Sequence, residues 1–160
     1  MVSIISIFSV FIISLSGFFL GSIFHFEGQI PNNLGVVDGK LSPCPSTPNC
    51  VVSQDTDSTH YIEPLTYQFD RTQAYDSFVK ILSVVPNTKI VEQTEDYIRT
   101  ESRSKIMGFV DDAEFYFPKD KKVIEFRSAS RLGESDLGVN RRRLEQIRLA
   151  FEDFNKLSNI

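Results

Sequence analysis

The sequence predicts an α+β domain: an antiparallel sheet of about four to five strands with two amphipathic helices on one face, preceded by an N-terminal transmembrane or signal helix. Three observations carry this expectation. Two stretches of period-two alternation each fold back through a polar turn, two apolar stripes recur at three- and four-residue steps, and no charged side chain precedes Glu27. A chain of 160 residues with 41% apolar and 24% charged side chains is large enough for one packed core and too apolar for wholesale disorder. Its net charge of −4 and pI near 5.2 argue against a nucleic-acid partner held by bulk positive charge. Two cysteines are too few for a disulfide-framework miniprotein or a four-thiolate zinc site.

The elements follow in order. Val2 to Phe24 is an uncharged apolar run interrupted only by Ser and Gly. As a helix it would be about 34 Å long, enough for a hydrocarbon core of about 30 Å. A cleaved signal peptide is the rival, with Ser14-Leu15-Ser16 as a weak cleavage site, but no Lys or Arg occurs before Lys40 to form its basic n-region. An uncleaved anchor over residues 1–26 is favoured, with secretion after cleavage as the alternative. Residues 27–58 are rich in Gly, Pro, Asn, Ser and Asp and read as a linker carrying a Cys loop, leaving residues 59–160 as the α+β domain. There Tyr61 to Leu65 is a short strand pushed to an edge by Pro64. Asp70 caps a helix with Ala74, Phe78, Ile81, Leu82 and Val85 on one face, stopped by Pro86. Lys89–Thr94 and Tyr97–Ser102 form one hairpin, and Ala113–Phe117 and Val123–Ser128 another. In the second hairpin Phe115, Phe117, Ile124 and Phe126 alternate with Glu114, Tyr116, Glu125 and Arg127, so each strand has one apolar and one polar face. A final helix carries Leu144, Ile147, Phe151, Phe154 and Leu157 as a core-facing stripe.

Three motifs are distinctive: Cys44-Pro45-Ser46-Thr47-Pro48-Asn49-Cys50, then Gly108-Phe109-Val110-Asp111-Asp112-Ala113-Glu114-Phe115, then RSASRLGESDLGVNRRRLEQIR from Arg127 to Arg148. Together, over residues 40 to 155, they resemble the uncharacterised domain-of-unknown-function family 1499. The resemblance implies a small domain of bacteria and chloroplast-bearing organisms, often placed behind a membrane or export segment, and it implies no activity.

Two constellations bear chemistry. Cys44 and Cys50 are spaced C-x5-C in a loop turned by Pro45 and Pro48, which suits a disulfide if the domain lies outside the cytosol. A metal site using Cys44, Cys50 and His60 is the weaker alternative, because it lacks a fourth ligand. The second is an Arg/Asp cluster: Asp111, Asp112, Arg127, Ser128, Ser130, Arg131, Asp136, Asn140, Arg141, Arg142 and Arg143. Three arginines in the first turn of the last helix oppose its macrodipole, so carboxylates or an outside anion must offset them. The cluster reads either as an ion-pair network fastening the 130–140 loop or as a site for a carboxylate or phosphate group. Arg127, Arg131 and at least one of Arg141, Arg142 and Arg143 are expected to converge with Asp111, Asp112 or Asp136 on one side of the sheet. Asp111 and Asp112, expected in a loop after Gly108, also allow a hydrolase reading, although neighbouring side chains on extended chain point apart. No G-x-S-x-G elbow, H-E-x-x-H or phosphate-cradling glycine loop is present, and no cofactor or metal is expected. The expectation is a membrane-tethered, extracytoplasmic, non-catalytic binding or assembly module in the periplasm or thylakoid lumen. Its partners are the membrane, through residues 2–24, and an anionic small molecule or acidic protein. The alternatives are a hydrolase acting on an anionic substrate and a purely structural membrane or envelope protein.

Overall fold

A computed structural model of the chain describes residues 26–157. The expected membrane or signal helix lies outside these residues. Among the described residues no helix is long and apolar enough to cross a membrane. The fold is α+β, with strands β1 (Cys50–Val52), β2 (Leu65–Thr66), β3 (Thr88–Gln93), β4 (Tyr97–Arg103), β5 (Val110–Tyr116) and β6 (Val123–Ser130), and helices α1 (Arg71–Val84) and α2 (Val139–Leu157). The antiparallel sheet runs β1-β6-β5-β4-β3, and β2 pairs with the other end of β6.

The two hairpins and two helices lie close to where periodicity puts them, because each is long enough to repeat its pattern. The short strands do not. β1, three residues inside the segment read as linker, gains its order from pairing with β6 and from the Cys44–Cys50 disulfide, whose Cα atoms are 5.6 Å apart. Six strands therefore replace the expected four to five. Pro64, with no N–H to donate, delays β2 to Leu65–Thr66, and Tyr61 instead bridges Val52 in parallel. Asp70 caps α1 by accepting from Gln73 N at 2.9 Å, and the helix ends at Val84, with Val85 as its C-cap before Pro86.

The core lies between the helices and one face of the sheet. Phe78 of α1 meets Phe115, Phe117 and Phe151 edge-on, at centroid distances of 4.9, 5.8 and 5.6 Å. Ile98, Ile124, Phe126, Leu144 and Ile147 complete this layer. The opposite, polar face is not wet. Residues following Phe26 cross it as a strap: Glu27 pairs with Arg103 at 2.9 Å, and Gly35 N donates to Glu114 at 2.7 Å. Gly28 makes the close approach possible. It sits at φ +69°, and a Cβ there would lie 2.8 Å from Arg131 Cβ.

Candidate functional site

The β5 strand begins at Val110, so Asp111 and Asp112 are strand residues and not loop residues. Asp111 pairs in register with Ser102 and Ser130, and Asp112 with Glu101 and Ala129. Their side chains therefore leave opposite faces of the sheet. This divides the Arg/Asp cluster in two and overturns its expected convergence on one side.

On the strap face, Asp112 accepts from Arg131 Nε at 2.7 Å and Nη2 at 3.0 Å, and from Arg99 Nη1 at 3.0 Å. The Arg131 and Asp112 side chains are each 1% exposed. Glu101 joins both arginines, and Glu92 pairs with Arg99. The hydrogen bonds that Arg131 donates to Asp112 hold its guanidinium above the ordinary range, against the cost of burial. Beside this group, Glu114 accepts from Arg127 Nη1 at 3.1 Å, Tyr97 Oη at 2.9 Å and the Gly35 amide. Burial, and then the Glu114 carboxylate, push the Tyr97 phenol up. Arg127 Nε is buried with no hydrogen-bond partner among the described residues. Arg127 and Arg131 are thus internal ties between sheet and strap.

On the helix face, Asp111 accepts from Ser130 Oγ at 2.6 Å and from Arg143 Nη2 at 2.7 Å. Asn140, buried in the first turn of α2, accepts from Ser128 Oγ and Arg143 and donates to Ser130 Oγ and the Asn49 carbonyl. Asp136 accepts from the amides of Gly138 and Asn140 at 2.9 and 2.8 Å, which places a carboxylate at the positive end of the helix. The other two arginines diverge. Arg141 donates to the carbonyls of Tyr61 and Thr59, and Arg142 to that of Leu137. With the Gly138 and Asn140 amides already taken, an arriving anion would meet side-chain cations there.

Two clefts open on either side of Asp111. A cavity of about 320 Å³ is walled by Arg103, Lys105, Arg142 and Arg143, with Ser102 and Asp111 among the polar groups. A cavity of about 180 Å³ lies between Ser104 and Phe109 on one side and Leu132, Asp136 and Val139 on the other. Arg103, Lys105, Ser102 and Ser104 were not singled out by sequence reasoning. They lie on or just after β4, and only its register against β5 brings them to Asp111.

The three distinctive motifs meet at this point. Asn49 accepts through its carbonyl from Ser130 N and donates to the Gly133 carbonyl at 2.6 Å, while Asp111 ties Ser130 to Arg143. A profile of the family described as protein of unknown function (DUF1499) matches residues 40–151. The chain belongs to this family. No curated protein and no solved structure matches it. In this DUF1499 domain the cysteines are joined, and His60 Nδ1 lies 3.0 Å from the Cys50 carbonyl oxygen, so the alternative of a Cys44–Cys50–His60 metal site is closed. Among the described residues no group of three His, Cys, Asp or Glu side chains is placed to hold a metal ion.

Proposed function

We propose that the protein is a non-catalytic binding module that receives an anionic group in the cleft beside the start of α2, and that residues 2–24 tether it to a membrane with the domain on the extracytoplasmic side. The anionic group belongs to a small molecule or an acidic protein partner. The observation that carries the binding reading is the cleft's charge. Four cationic residues line it against one carboxylate, Asp111, which Arg143 already neutralises. Arg103 shares its charge with Glu27, whereas Arg142 forms no ion pair with the described residues and adds its charge to that of Lys105 in the cleft lining. Guanidinium forks recognise carboxylate and phosphate oxygens in pairs. The disulfide supports an oxidising compartment and the uncharged N-terminal run supports the tether.

The carboxylates do not favour a hydrolase. Asp111 has both oxygens engaged by Ser130 and Arg143, and Asp112 is enclosed between Arg99 and Arg131 beneath the strap. For Arg127 and Arg131 the pairing supports a structural role.

The test is thermal unfolding of the full chain in neutral detergent, with increasing inorganic phosphate at constant ionic strength. Specific binding raises Tm in a saturable way, because ligand bound only by the native state stabilises it by mass action. Arg142→Gln, whose side chain forms no ion pair among the described residues and donates to the Leu137 carbonyl, should leave Tm without phosphate nearly unchanged and abolish the rise. No rise in the unsubstituted protein, or an undiminished rise in a variant carrying both Arg142→Gln and Lys105→Gln, would overturn the reading.

A further inference from the structure

The end of the domain that holds the cleft is also its most apolar surface. Of the twelve large hydrophobic residues exposed among the described residues, seven lie here: Phe26 and six on or beside the β4–β5 and β6–α2 loops, Ile106, Met107, Phe109, Leu132, Leu137 and Val139. Ile106 and Leu137 are 81% and 84% exposed, so neither contributes to the domain's own core. The two loops share the smaller cleft, where Phe109 faces the segment from Leu132 to Val139. Leu137 sits at φ +53°, a left-handed conformation that glycine or asparagine would adopt with less strain. A branched apolar side chain is thus held outward where a small polar residue would suit the backbone better.

The chain's path says what faces this surface. Phe26 stacks on Phe109 with ring centroids 5.3 Å apart, and its amide donates to the Met107 carbonyl. The uncharged run of Val2 to Phe24 therefore ends two residues before a side chain lodged in the patch. Lys105 lies within the apolar β4–β5 loop, and Arg142 lines the adjoining cationic cleft. Acidic groups at this end among the described residues include Glu27 paired with Arg103, Asp136 capping α2, Asp111 paired with Arg143, and the exposed Glu134.

We propose that this end of the domain rests on the membrane that residues 2–24 enter. Ile106, Met107 and Leu137 sit in the boundary between headgroups and acyl chains, and Lys105 and Arg142 face the phosphates of anionic lipids. The anionic group received by the cleft is then a lipid phosphate. This rests on the reading of the cleft as an anion site and of residues 2–24 as a membrane segment. Apolar tips flanked by cations are the composition that holds peripheral elements at an anionic interface.

The sequence contains no tryptophan, so a single introduced indole reports its own surroundings. Ile106→Trp, Leu137→Trp and, as a control on the exposed middle of α2, Leu149→Trp would be made in the full chain. Each would be reconstituted into vesicles of phosphatidylglycerol and phosphatidylcholine with brominated acyl chains. Fluorescence at positions 106 and 137 should fall about twofold or more relative to unbrominated vesicles, and the control should change little. Lys105→Gln with Arg142→Gln, or pure phosphatidylcholine, should weaken the quenching. Protein that floats with the vesicles but is quenched only to the control level refutes the docking and leaves the anchor standing. Failure to float overturns both. Quenching that is indifferent to anionic lipid refutes the headgroup contact. A phosphate-dependent rise in Tm without quenching at 106 or 137 refutes the docking and leaves a cleft for free phosphate, whereas quenching without that rise supports the docking and removes the free-anion reading.

Discussion

Removing the guanidinium of Arg131 separates a structural strap face from a ligand site. In Arg131→Ala, Asp112 loses two of its three guanidinium contacts, at 2.7 and 3.0 Å, and retains the one from Arg99 at 3.0 Å. Breaking a buried pair by removing one partner costs about 3–5 kcal/mol, because the remaining charge stays desolvated and under-compensated. Arg99 mitigates this, so the lower end, about 3 kcal/mol, is expected. For a domain of this size that lowers Tm by roughly 10 °C. The assay is urea unfolding of the full chain in neutral detergent, followed by far-UV circular dichroism. Asp112→Ala should be similarly costly, and the double variant should cost at least about 2 kcal/mol less than the sum, since it leaves fewer buried charges unmatched. An Arg131→Ala cost below about 0.5 kcal/mol, the size of an ordinary surface change, would refute the reasoning. So would strict additivity in the double variant.

Three further outcomes are expected. Gly28→Ala should destabilise by about 1–3 kcal/mol and speed proteolytic cleavage within residues 26–42, because the added methyl meets Arg131 Cβ at 2.8 Å and φ is +69°; unchanged stability and cleavage would show that the strap does not lie against Arg131. The Cys44–Cys50 bond closes only a short loop, so its reduction by dithiothreitol should lower stability by about 2 kcal/mol without abolishing folding, as read by the urea midpoint; complete unfolding would contradict this. Tyr97, Tyr67 and Tyr75 are all pushed up by burial, so the folded state keeps its phenol protons where the unfolded chain loses them. Their contribution is whole below about pH 10 and is lost as pH rises through the folded values; urea titrations above that pH should show a shallower decline in Tyr97→Phe than in the parent protein.

Much of the fold was legible because the information is local. Asp70 and Pro86 bracket a helix by their own hydrogen bonding and ring geometry, and the alternation from Ala113 to Ser128 places Phe115 and Phe126 on one face wherever that hairpin docks. The same alternation separates Asp111 from Asp112 once both belong to a strand. Their strand membership was not local: it depends on Glu101 and Ser102 pairing on one side and Ala129 and Ser130 on the other. Cys50–Val52 is likewise too short to show a period, and it becomes a strand only beside β6.

The sequence by itself determined the class of fold, the cap and stop of α1, the two main hairpins, the family, and which residue types would form its polar centre. Tertiary structure alone decided the partners. Glu114 pairs with Arg127, Glu101 and Asp112 are shared between Arg131 and Arg99, and the strap lies over that face of the sheet. Lys105 and Arg142, widely separated in sequence, share one cleft because β4 ends where α2 begins. Periodicity specifies the direction a side chain takes from its own strand or helix. Register and packing decide what it meets there, and those depend on closing the whole chain around one core.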